Sequence, residues 1–198
     1  MQTMSKFTHS ARACTIKYIL AGWMSQAEIT AASLAKLGHK GDIGVLDGDY
    51  AFWRFSGSSK SKWDPAKVID GLGRRWDFPH MTSYKAYPSL RASNGVLECL
   101  SAIVEREALL PEEIESVKAF LEKIILAPMY QNRQIENQVD AQFSVAYMLS
   151  LVAHRIKPGT RWQDWDILKN PAILKFMDKV SYEVHPDYHK AMQEDSRS

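Results

Sequence analysis

Asp140-Ala141-Gln142-Phe143-Ser144-Val145-Ala146-Tyr147-Met148-Leu149-Ser150-Leu151-Val152-Ala153-His154 is a run with no polar face. Ala141, Phe143, Val145, Ala146, Tyr147, Leu149 and Val152 point in nearly every direction around a helical axis, so the spacing predicts a helix over 140–154 that is buried all round. Such a helix has to be surrounded by other elements. Lys157 to Gly159 is the expected close.

Downstream, Asn170 and Pro171 supply an N-cap and a first-turn proline for a helix carrying Ile173, Leu174, Met177 and Val180. A short extended piece and a polar tail from Lys190 follow. Upstream, past the polar Gln131 to Asn137, come Ile114, Val117, Phe120, Leu121, Ile124 and Ile125 behind Pro111, Glu112 and Glu113, a pattern that predicts another helix. Ser93 is placed to cap a helix whose apolar face is Val96, Leu97, Leu100, Ile103 and Val104. Trp76 to Tyr87 reads as extended, and Lys67 to Leu72 as a short helical pattern ended by Gly71-Leu72-Gly73. Asp42 to Ser56 is punctuated by Gly44 and Gly48 and predicts a short helix or turn that buries Tyr50, Phe52, Trp53 and Phe55. The Ser/Gly-rich loop Gly57 to Trp63 marks a domain boundary, and Thr15 to Leu37 an Ala-rich helix with a buried small-residue stripe, ended by Gly38.

A chain of 198 residues, 45% hydrophobic and 24% charged, can bury one sizeable core or two small ones. Its apolar runs stop well short of the ~18 residues of a spanning helix, and no apolar signal core follows the basic N-terminal residues. A cytoplasmic protein without membrane association is the expectation. A net charge of +2, with one basic cluster at Lys60 to Lys62, argues against a nucleic-acid surface. Cys14 and Cys99 are too few and too far apart for a disulfide framework or zinc site and read as small packed hydrophobes. His185, Asp187 and His189 would share a helix face but for Pro186, so they read as solvated surface and no metal is expected. Trp162 and Trp165, interleaved with Asp164 and Asp166, read as covers for an apolar edge rather than base-stacking platforms.

Two lysines stand out by context. Lys17 opens the Ala-rich helix, and Lys85 lies in an apolar turn with Tyr84, Tyr87 and Pro88. A cation in such a place has its desolvation offset only by a partner, either a structural carboxylate or a bound anion. Arg91 adds a planar fork suited to a carboxylate.

Three groups of residues then converge. Lys17-Tyr18-Ile19-Leu20-Ala21-Gly22 runs into Ala31 to Gly38, Gly41, Val45 to Gly48 and Phe52; Gly71 to Trp76 leads to Lys85-Ala86-Tyr87-Pro88; and Asp140 to Tyr147 closes the set. Together they resemble the MmgE/PrpD family, which includes 2-methylcitrate dehydratases, cis-aconitate decarboxylases and iminodisuccinate epimerases. The resemblance runs from about Ile16 to Pro186. It departs from the family pattern at Leu20, where a histidine is usual, and at Ser89, Leu90 and Asn94, where the family commonly has two cysteines and a histidine.

The resemblance implies an α+β chain in two parts: a helical segment over residues 1–57, the remnant of a family helical domain whose earlier portion has no counterpart here, and an α+β lid-like domain over 58–198. For Ile114 to Ile125 it implies a strand followed by a loop, in preference to the helix. It also implies lyase chemistry without metal or organic cofactor on a small tricarboxylic acid, either dehydration of a 2-methylcitrate-like acid or decarboxylation of a cis-aconitate-like one. Lys17 and Lys85 are then the expected catalytic and substrate-anchoring residues, with Arg91 and Tyr130 as further substrate contacts. A non-catalytic relative that binds a carboxylate, or a site completed by a partner chain or by a homodimer, are the alternatives.

Overall fold

The computed structural model describes residues 16–45, 69–76, 78, 82–188 and 190. The boundary expected between residues 57 and 58, the rings from Tyr50 to Phe55, the Lys60 to Lys62 cluster, Cys14, His189 and the Lys17 side chain lie outside them. The described residues divide into two compact units, Ile16–Ser83 and Tyr84–Ser198.

In the first unit, helix α1 spans Ile16–Lys36. Its composition favours helix, and Ser25, Thr30 and Ser33 return their hydroxyls to the carbonyls four residues earlier. Gly38, at φ +90°, ends it by donating to the Ala35 carbonyl, while the His39 N–H reaches the Leu34 carbonyl. Only a left-handed residue allows this pair of closing bonds, hence glycine. The stripe expected to be buried, Ala27, Ala31, Leu34 and Ala35, is exposed, as are Trp23, Met24 and Ile29 at 58%, 55% and 68%. Periodicity marks a face that gains from burial, but the chain has still to provide a cover.

The second unit is mostly helical, and the strand among its described residues is confined to a two-stranded parallel sheet. Helix α2 (Asn94–Arg106) leads to β1 (Val117–Leu121), then α3 (Gln138–Phe143), α4 (Val145–Ala153), α5 (Trp165–Leu168), α6 (Pro171–Phe176) and β2 (Val180–Val184). β1 and β2 pair from Val117 with Val180 to Leu121 with Val184. Everything between them forms one long crossover, as a parallel pair requires. All nine residues of α4 are buried, and α2, α3, α6 and β2 pack around it. Asn170 caps α6 through the Ala172 and Ile173 N–H groups, with Pro171 in the first turn.

Several local expectations change. The apolar run after Pro111 is a turn and then β1, as the family pattern implies, because alternation over Val117 to Leu121 buries Ala119 and Leu121 while Phe120 stays 41% exposed. The helix expected over 140–154 is two helices, because Ser144 adopts extended backbone (φ −70°, ψ 111°) and its hydroxyl accepts from the Tyr147 N–H. Ser93 precedes α2 without capping it, since a 3-10 turn over Arg91–Ser93 sends its hydroxyl to the Leu90 carbonyl. Cys99 is exposed, on the outward side of α2. Val180 lies in β2 rather than in the last helix.

The close of α4 comes earlier than Lys157. Arg155 stands in the left-handed region at φ 54°, as does Ala108 (φ 52°) beyond α2, and both make the closing pair of bonds seen at Gly38. Arg155 also donates to the Val104 carbonyl at 3.0 Å, satisfying the end of α2. The irregular stretch between β1 and α3 is pinned by Asp140, 4% exposed, whose carboxylate accepts from the Asn132 and Asn137 side-chain amides and the Glu136 N–H. Asn137 answers by capping α3 through the Asp140 N–H. This is a reciprocal cap of the capping-box kind.

Three outcomes follow for stability, each read from urea or thermal unfolding. Asp140→Ala removes the shared acceptor of three partly buried hydrogen bonds and should cost about 2 kcal/mol, where a surface substitution would cost almost nothing. Ala108→Gly relieves a left-handed side chain and should stabilise by about 0.5–1 kcal/mol. Burial and the neighbouring Glu98 push the Tyr87 phenol up to about 12, and burial raises Tyr130, Tyr147 and Tyr182 as well. An unfolded tyrosine loses its proton near pH ~10, so this contribution is complete below that pH and is lost as pH rises through about 12. A melting temperature that stays flat from pH 9 into this window would contradict the assignment.

Candidate functional site

The loop from Tyr84 to Ser93 carries two of the expected site residues, and its inner side is fixed by packing. Tyr87 is 5% exposed; its hydroxyl donates to Glu98 Oε2 at 2.8 Å and its ring lies against Trp162 at 5.6 Å. Those contacts tie the loop to α2 and to the 3-10 turn Thr160–Gln163. Ser89 and Ser93 are buried, and the Ser93 hydroxyl sits between the Leu90 carbonyl and the Met148 sulfur of α4. Pro88 between Tyr87 and Ser89 restricts the backbone further.

Outside this anchored interior stand the cations. Lys85 donates from Nζ to the Ser89 carbonyl at 2.9 Å, closing its own turn and leaving two of its three N–H bonds for another acceptor. Arg91 is exposed at the start of the 3-10 turn that runs into α2. The first turn of α2 contains no acidic residue, so its N-terminal N–H groups and partial positive charge add to the two side chains. Asn94 Oδ1, at the first residue of α2, is buried and has no partner among the described residues. Two cations on a braced loop at a helix start can hold a carboxylate, with Arg91 offering the planar fork and Lys85 a point charge.

The other two expected residues are placed differently. Tyr130 is 1% exposed inside the second unit, its ring 6.1 Å from Phe143 and its carbonyl accepting from the Tyr182 hydroxyl. It stands behind the surface, not on it. Lys17 lies in the first turn of α1, in the first unit. Lys85 and Arg91 are therefore the pair that shares one segment. Beside Tyr130, Arg133 donates to the Met177 and Val180 carbonyls, which holds the turn before β2 in place.

Sequence reasoning did not anticipate the Tyr87–Glu98 bond, the Ser93–Met148 contact or the Asp140 network. A spacing of 11 or 55 residues carries no local signal, whereas the Asn137/Asp140 reciprocal cap could have been found from its three-residue spacing. No group of three His, Cys, Asp or Glu converges among the described residues. His185 is exposed, with Nδ1 accepting from the Asp187 N–H and its ring edge-on to Phe120. Among the described residues no helix is long and apolar enough to cross a membrane.

A search of curated proteins returns no match. A family model for the MmgE/PrpD C-terminal domain matches residues 87–198. Tyr87, Arg91, the Asp140 network and the buried helix α4 fall within that span, and Lys17 and Lys85 precede it. The match takes in more than half of the 198 residues and the whole of the core just described, and on that ground the chain belongs to the MmgE/PrpD family of dehydratases and decarboxylases, through the C-terminal domain of that family.

Proposed function

We propose that the chain is a lyase-type protein acting on a small tricarboxylic acid, with the Tyr84–Ser93 loop as its carboxylate anchor. The observation that carries this reading is the placing of Lys85 and Arg91 on a loop braced from within and leading into the N-terminus of α2. In a dehydration of this class a proton leaves the carbon beside a carboxylate, the electron pair moves onto that carboxylate as an enolate, and the hydroxyl on the neighbouring carbon departs with a proton as water. Cations at the carboxylate are worth more as that charge grows, which lowers the barrier. Lys17 and Lys85 are the residues assigned to catalysis. With Leu20 and Asn94 where the family pattern has histidines, a lysine takes the acid/base role. Dehydration of a 2-methylcitrate-like acid is the leading reaction, with decarboxylation of a cis-aconitate-like acid as its rival.

A second reading has another polypeptide, or a second copy of the chain, completing the site. The exposed Tyr18, Ile19, Trp23, Met24 and Ile29 of α1 favour it, since an apolar helix face gains free energy when covered.

A proton NMR time course of the purified chain with 2-methylcitrate, citrate and cis-aconitate separates these. New olefinic signals of a methylaconitate or itaconate type are expected, and their positions name the step. Lys85→Ala should slow the reaction by about a hundredfold or more with the circular dichroism spectrum unchanged; an undiminished rate would remove Lys85 from the mechanism. An unchanged spectrum from folded wild-type chain would leave in its place a site completed by a partner chain, or a purely binding role.

A further inference from the structure

A groove of about 330 Å³ lies between the end of α2 and the segment leaving α4. Val152, Ile156 and the Tyr87 ring give it apolar walls, and Glu105, Arg155 and Lys157 line it with charge. Arg155 is fixed in place by its left-handed backbone and by its bond to the Val104 carbonyl. Its remaining N–H groups have no acceptor among the described residues, and Lys157 has no partner there either. Glu105 accepts from the Ser101 hydroxyl at 3.3 Å, one turn back on α2. It pairs with neither cation, although all three side chains line the same groove.

We propose that this groove binds a small zwitterion with an aliphatic body, an amino acid of the leucine type, with its carboxylate on Arg155 and Lys157 and its ammonium on Glu105. Opposite charges that line one groove without pairing with each other are complementary to a ligand that carries both signs. A ligand with only one sign leaves the other protein charge partly desolvated and unmet. The apolar walls suit a branched hydrocarbon chain, and the volume falls in the range of small-molecule sites. A polyanion is disfavoured by Glu105, so this site is separate in chemistry from the Lys85–Arg91 loop and does not rest on the tricarboxylate reading. Tyr87 belongs to both, since it lines the groove and braces the loop two residues after Lys85.

Isothermal titration and saturation-transfer NMR on the full chain test this with three probes: L-leucine, 4-methylpentanoate, which lacks the ammonium, and 3-methylbutylamine, which lacks the carboxylate. Leucine should bind with each singly charged probe about tenfold weaker, and Lys157→Ala and Glu105→Gln should each weaken leucine by about tenfold. Both side chains are exposed, so circular dichroism should be unchanged in either variant. Glu105→Gln should also remove the advantage of leucine over 4-methylpentanoate. Absence of a leucine signal at high millimolar concentration overturns the proposal. Equal binding of 4-methylpentanoate, with Glu105→Gln silent, overturns it in favour of a simple anion site.

Discussion

The second unit is organised by the need to surround one helix. Val145–Ala153 is buried on every side, and each large apolar side chain moved from water into that interior contributes about 2 kcal/mol. A helix with no wet face has to be enclosed, so α2, α3, α6 and β2 are all placed by contact with it. Its few polar groups are met locally. Ser150 returns its hydroxyl to the Ala146 carbonyl and the Tyr147 hydroxyl reaches the Trp162 carbonyl. The Tyr84–Ser93 loop inherits its position from the same constraint, through Ser93 against Met148 and Tyr87 against Trp162.

Much of the remaining chain is irregular, and its carbonyls need donors. Long cationic side chains provide them across large sequence distances: Arg133 to Met177 and Val180, Lys169 to Ile135, Lys179 to Pro111 and Ile114, and Arg155 to Val104. These are structural uses of charge. Lys85 is used in the same way over a shorter span, one N–H closing its own turn on the Ser89 carbonyl. Two helices end on left-handed residues that are not glycine, Ala108 and Arg155. At Arg155 the strained residue carries a side chain that caps the neighbouring helix, so the bond to Val104 offsets part of the conformational cost.

The family signature around Asp140 to Tyr147 acquires a physical meaning from this arrangement. Asp140 gathers the loop before it, Phe143 fills the core beside Tyr130, Ser144 breaks the helix and caps the next, and Tyr147 is buried in that next helix. It specifies the architecture behind the Lys85–Arg91 loop.

From sequence alone, the wholly apolar run identified the buried helix, Gly38 identified the end of α1, and Asn170-Pro171 identified the start of α6, because each rests on interactions within a few residues. The family resemblance, carried by short motifs, added the strand at Val117 to Leu121 where periodicity pointed to a helix. Tertiary structure decided the rest. It broke the helix at Ser144, put Tyr130 inside the core and left Cys99 outside, set Lys85 and Arg91 on a braced loop, and left the stripe on α1 without the cover its pattern implied. Those outcomes depend on which distant surfaces meet, and residue order records only that a surface is apolar or charged, not what lies against it.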